Sequence, residues 1–135
     1  MTNTTVIPFT APGMPLPRGH YSHATIAGQM MFVSGQLGMR PDGSHTADQP
    51  FDVQARQTLA NLMAILAAAG CRPQDVAKVT VFIAGVEHWA AFNEIYALAF
   101  GDHKPARSIV PVHPLHFGYL VEIEAVALLP STNLT

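Results

Sequence analysis

Only two stretches of this 135-residue chain repeat their apolar residues at helical spacing, and the other regular segments all have the marks of short strands. Ala55, Leu59, Leu62, Met63, Leu66 and Ala69 form the longer repeat, with Gln54, Arg56, Gln57 and Asn61 assigned to its opposite, polar face. Asp48 or Asp52 is placed to cap its start and Gly70 to stop it. A second helix is expected from about Glu87 to Phe100, with Trp89, Phe92, Ile95, Tyr96 and Ala99 inward and Gly101 at its end. Strand character marks Ser22 to Ile26, Met30 to Ser34, Val76 to Ala84, Arg107 to Val112 and Leu120 to Leu128. The first two of these flank Ala27-Gly28-Gln29, which reads as a hairpin turn. The order is thus β-β-α-β-α-β-β, an α+β sandwich with two helices on one face of a mixed sheet. Two helices cover one face of such a sheet and leave the other open.

Charged residues make up 12% of the chain and apolar ones 49%, so the open face is not expected to be strongly solvated. Self-association through that face follows, with ligand sites in the clefts between subunits. The strand MMFVSG is apolar enough to expect burial on both faces. Residues 1–16, with Pro8, Pro12 and Pro15, are expected to be extended and irregular, and 38–50 to form a surface loop. The length suits one domain over 1–135.

The formal net charge of −2 leaves no basic footprint for nucleic acid. No apolar run reaches the roughly 20 residues of a membrane span, and the first residues lack a signal-peptide pattern. The lone Cys71 excludes an internal disulfide and a cysteine-built zinc site. Beyond a helix C-terminus it is expected to be an inert thiol. A cytoplasmic enzyme or binding subunit fits this profile.

Among polar residues, Arg107 opens an otherwise uncharged strand and needs an anionic partner. Bidentate capture of a substrate carboxylate suits its planar guanidinium. An ion pair with Glu122 or Glu124, or a solvent-facing position at a strand start, suits the spacing equally well. Glu122 and Glu124 share one face of the last strand, either to pair with Arg107, to place a water, or to line a wet interface. Tyr21 offers a hydroxyl and a ring, Ser34 ends a strand, and Gly35 permits close backbone approach; strand-end turns account for them as readily. His20, His23, His113 and His116 invite a metal, but the last two lie in a proline-rich loop with no clear third ligand. No nucleophile elbow and no glycine-rich nucleotide motif occurs.

Four segments, Gly19-His20-Tyr21-Ser22-His23-Ala24, Phe32-Val33-Ser34-Gly35-Gln36, Pro105-Ala106-Arg107-Ser108 and Val121-Glu122-Ile123-Glu124-Ala125, together resemble the Rid family. This family is also labelled YjgF-like or endoribonuclease L-PSP-like. The likeness covers roughly residues 16 to 129, including QARQTLANL, VAKVTVFI and FNEIYALAF. The resemblance implies a chorismate-mutase-like fold and a homotrimer with clefts between adjacent subunits. It implies hydrolysis of 2-aminoacrylate-type enamines and 2-imino acids to 2-keto acids and ammonia, without metal or cofactor. It further implies that Arg107 binds the carboxylate, that Glu122 helps place the water, and that Tyr21 and Ser34 line the cleft. Backbone around Ile109 would orient the imine nitrogen or water.

The chain departs from the family pattern in four places. Ile109 stands where cysteine is common, and Leu115-His116-Phe117 where a Leu-Pro-Lys loop is usual. Leu37-Gly38 follows the Ser-Gly-Gln segment, and His20 replaces a common proline. Phe117, Tyr119 and the histidines suit a bulkier, more apolar imino acid or an aminomuconate-like intermediate. Deamination of 2-aminomuconate, or a non-catalytic trimer that binds small carboxylates, are the competing functions. RNA cleavage conflicts with the acidic balance and the missing stacking platform.

Overall fold

The computed structural model describes residues 5–131. Its regular elements are β1 (Ile7–Phe9), β2 (Ala24–Ala27), β3 (Met30–Gln36), α1 (Phe51–Ala68), β4 (Val76–Ile83), α2 (Trp89–Phe100), β5 (Ala106–Pro111) and β6 (Val121–Leu128). The strands form one sheet in the order β1-β2-β3-β6-β4-β5. Every neighbouring pair is antiparallel except β4 and β5, whose parallel pairing is made possible by α2 crossing between them. Both helices bury their apolar residues on one side of this mixed sheet, as the α+β pattern predicts.

Residues 1–4 lie outside the described residues, but Ile7–Phe9 is not merely extended. It pairs with β2 (Ile7 opposite Ile26, Phe9 opposite Ala24) and adds a sixth strand at the sheet edge. Pro8 is tolerated there because an edge strand leaves one side of its backbone unpaired. The β2–β3 hairpin turns through Gly28 and Gln29, and Gly28 takes φ +62, which a side chain would resist. The end of α1 is closed by Gly70 (φ +82): Cys71 N–H reaches Leu66 O at 2.9 Å and Gly70 N–H reaches Ala67 O at 2.9 Å. Neither Asp48 nor Asp52 caps its start; Pro50 holds that position without a side-chain bond. Proline is well placed there, since the first helical N–H groups have no partner within the helix.

Strand β3 is not buried on both faces. Met31 and Val33 point into the core, whereas Phe32 is 44% exposed on the opposite side. The pleat allows no other outcome once only one face is covered.

Gln54 and Asn61, assigned by spacing to the polar face of α1, are 1% and 3% exposed. Gln54 Nε2 donates to Ala47 O (3.1 Å) and Gln49 O (3.0 Å), while its Oε1 accepts Leu120 N–H at 2.9 Å. Asn61 Nδ2 donates to Leu37 O (2.9 Å) and Met39 O (2.7 Å). Thr46 Oγ1 donates to Gly38 O at 2.7 Å, and Tyr119 Oη accepts Thr46 N–H at 3.1 Å. The loop between β3 and α1 has few regular backbone bonds of its own, so these side chains satisfy its polar groups and fix its path. Asn61→Ala is expected to lower the unfolding free energy by roughly 2–3 kcal/mol in urea titration. Arg56→Ala, which breaks only an exposed pair with Asp52, is expected to cost less than about 0.5 kcal/mol in the same measurement.

Candidate functional site

Strand register decides which side chains can meet. On β4, Val79, Val81 and Ile83 face the helices, as do Val121, Ile123, Ala125 and Ala127 on β6. Arg107 is paired with Val79 and Ile109 with Val81, so both lie on the helix side. Glu122 is paired with Phe82 and Glu124 with Thr80, so both lie on the open side. Strand β4 also separates β5 from β6. The expected pairing of Arg107 with Glu122 or Glu124 within one chain is therefore ruled out by both face and order.

Arg107 instead meets α2. Its Nη1 donates to Asn93 Oδ1 at 3.0 Å, and its Cζ stands 4.8 Å from the centroid of the Tyr96 ring. Among the described residues its Nε and Nη2 have no partner. Ile109 is partly buried against the core two residues along.

At the far end of β3 a cavity of about 340 Å³ opens, with Met14, Leu16, Tyr21, Gly35, His116 and Phe117 among its walls. Tyr21 is 58% exposed and its ring lies over Gly19. Glu122, half-buried, rests its carboxyl against Gly35; a Cβ there would come within 2.8 Å of Glu122 Cδ. Burial raises the Glu122 carboxyl above its ordinary value, and the neighbouring Glu124 charge adds to the rise. Ser34 is committed locally: its Oγ donates to Ser22 O at 2.7 Å. That bond ties β3 to the segment bearing Tyr21. Phe117 is 51% exposed and takes φ 63, ψ 7, a left-handed conformation costly for a non-glycine residue. The rings of His116 (3.8 Å) and His45 (4.4 Å) pack against it and hold it over the cavity.

Tyr21, Ser34, Gly35, Phe117 and Glu122 thus gather at one end of the sheet, while Arg107 and Ile109 lie at the β5 edge. Tyr119, suggested by the sequence as a substrate contact, is fully buried and is used up on Thr46 and His45. His23 is also structural: Ala11 N–H donates to its Nδ1 (2.9 Å), and its Nε2 then donates to Pro15 O (2.8 Å). This anchors the segment that carries Met14 and Leu16 to the cavity. No group of three His, Cys, Asp or Glu side chains converges as a metal site among the described residues. The Cys71 thiol is buried and held above its ordinary value by desolvation, then by the Asp75 charge. Asn93 and Tyr96, the partners of Arg107, are not among the expected site residues, because Asn93 reads as solvated and Tyr96, expected on the apolar side of the second helix, reads as core.

A six-stranded mixed sheet backed by two helices, with its other face open, is the chorismate-mutase-like α+β class. The endoribonuclease L-PSP family model matches residues 12–129, and the chain belongs to that family, to which the Rid proteins belong. The RutC family protein PH0854 of Pyrococcus horikoshii is 43% identical over 113 residues, covering 84% of this chain and 90% of its own. The 2-iminobutanoate/2-iminopropanoate deaminase of Rattus norvegicus is 39% identical over 114 residues, covering 84% and 83%. The crystal structure of E. coli TdcF with bound serine superposes with a TM-score of 0.83 at 36% identity, over 92% of this chain and 98% of that one.

An ionised Glu122 is penalised by its surroundings, so the folded chain binds a proton there more readily than the unfolded chain does. That contribution destabilises the fold above the ordinary carboxylate range and vanishes as pH falls through it. Glu122→Gln is expected to raise Tm near neutral pH, with the gain disappearing by about pH 4, as scanning calorimetry across pH would record.

Proposed function

We propose that this protein is a hydrolytic deaminase of 2-imino acids and their enamine tautomers, acting as a homotrimer whose sites lie between adjacent protomers. The observation that carries this reading is the Nε–Nη2 edge of Arg107, which has no partner among the described residues and lies on the opposite sheet face from the half-buried Glu122 carboxylate, itself resting against Gly35 of the cavity wall. A shared site joins the Arg107 edge of one protomer to the Glu122, Gly35, Tyr21 and Ser34 end of its neighbour. The open face supports association, since Phe32, Val110 and Leu128 are exposed there in the single protomer. The names of the mammalian relatives point to the same activity.

The chemistry asks little of the protein. Arg107 holds the substrate carboxylate through a two-pronged charge-assisted contact, which fixes the position of C2. Glu122 accepts a proton from water as the oxygen attacks C2, and its raised basicity suits that task. Glu122 then returns that proton to the nitrogen of the resulting carbinolamine, the C2–N bond breaks to release ammonia, and the hydroxyl gives up its proton to water as the C2=O bond of the 2-keto acid forms. Backbone carbonyls around Ile109 orient the imine nitrogen. Metal and cofactor have no step to perform in this sequence. The apolar cavity walled by Met14, Leu16 and Phe117 favours imino acids with apolar side chains over the smallest ones. The single packed core and the free Cys71 suit one domain in a reducing, cytoplasmic setting.

In an amino-acid oxidase reaction trapped with semicarbazide, the protein is expected to shorten imine lifetime. Arg107→Ala should reduce kcat/KM at least about 100-fold, and Glu122→Gln by a similar factor. An imine lifetime unchanged across a panel of amino acids would overturn the proposal. Phe32→Asp combined with Val110→Asp should convert a three-chain species in sedimentation into single chains and abolish activity with it.

A further inference from the structure

The deaminase reading depends on Arg107, yet nothing on its own strand orients its side chain. Arg107 lies on β5, the outermost strand on its side of the sheet, where a long flexible stem would sweep a wide arc. Two residues of α2 restrain it. Asn93 accepts a hydrogen bond from Nη1, and three residues on, one turn away, Tyr96 presents the face of its ring beneath the guanidinium. The ring itself is packed on both sides. Tyr96 is 7% exposed and is held between Phe92 (5.6 Å) and Phe100 (4.5 Å).

We propose that Asn93 and Tyr96 are positioning residues that lock the Arg107 guanidinium in plane and present its Nε–Nη2 edge to the substrate carboxylate. The Tyr96 hydroxyl supports this reading, because it is buried with no hydrogen-bond partner among the described residues. With no bond made by the hydroxyl there, the contact between this side chain and Arg107 runs through its ring face. Burial pushes the phenol up to about 12, against the opposing pull of Arg107. The ring therefore stays neutral and attracts the cation without competing as an anion for it. The Asn93 carbonyl likewise takes one donor without neutralising the charge, where an acidic residue would form an ion pair rivalling the substrate.

The inference rests on the deaminase reading, and its test separates the two. Imine hydrolysis is measured by trapping, and binding of 2-oxobutanoate by calorimetry, for the wild type, Arg107→Ala, Asn93→Ala, Tyr96→Leu and Tyr96→Phe. Asn93→Ala should raise KM and the 2-oxobutanoate Kd roughly five- to tenfold, the size of one hydrogen bond to a charged group at an exposed site. Tyr96→Leu should raise both about fivefold or more. Tyr96→Phe keeps the ring, and should retain wild-type KM and Kd with an equal or higher Tm. A merely structural role would lower the active fraction, and so the apparent kcat, while leaving KM and Kd in place. Wild-type KM and Kd in both Asn93→Ala and Tyr96→Leu, with Arg107→Ala inactive, would overturn the positioning role alone. So would a Tyr96→Phe variant as impaired in KM as Tyr96→Leu. Absence of turnover and of 2-oxobutanoate binding in the wild type would overturn the deaminase reading beneath it.

Discussion

The pleat of the central strands β4 and β6 governs the rest of this molecule. Because alternate side chains point to opposite faces, and both helices lie on one of them, each strand residue is committed either to a packed interior or to an open surface. Valine, isoleucine and alanine fill the packed side completely. The open side carries Phe32, Phe82, Val126 and Leu128 beside Thr80, Glu122 and Glu124, a mixture too apolar to resemble an ordinary solvated face and too polar for a core. The same register that protects the core sends Arg107 one way and Glu122 the other. A single protomer therefore separates the two charges that the proposed chemistry must bring to one substrate.

The long loop between β3 and α1 depends on a different kind of restraint. Its carbonyls have no strand to pair with, and Gln54 and Asn61 reach from the buried face of α1 to satisfy them. Gln54 also accepts the Leu120 N–H, which couples that loop to the start of β6. One helix thus fixes two of the segments around the cavity. His23 does the same for a third, holding Ala11 and Pro15 with the two nitrogens of one neutral ring. Rigidity in these loops comes from side-chain amides and an imidazole rather than from secondary structure, and it allows Phe117 to be kept in a strained conformation at the rim.

Each of the two charged groups is prepared by its surroundings. Glu122 is made more basic because water is partly excluded around it and Glu124 is close by. Arg107 keeps its charge and is restrained by neutral partners, an amide and an aromatic face. An acidic partner would have satisfied the guanidinium within the chain and removed its capacity to bind an anion.

Much of this was legible from the sequence by itself. Periodicity located both helices and five of the six strands, since burial of one face imposes a repeat that survives in a single chain. The count of two helices implied the open face. The four matched segments implied the family and drew attention to Arg107, Glu122, Tyr21, Ser34 and Gly35. Three residues long and interrupted by Pro8, β1 has too little pattern to be read, and only its pairing with β2 makes it a strand. The burial of Gln54 and Asn61 was equally hidden, because an amide that bonds a distant loop looks like any polar residue on a helix surface. The platform beneath Arg107 is a tertiary fact: it exists because α2 packs where it crosses from β4 to β5. Local sequence determines which face a residue prefers. Only the assembled sheet decides what that face meets, since register and strand order join residues whose separation along the chain carries no signal.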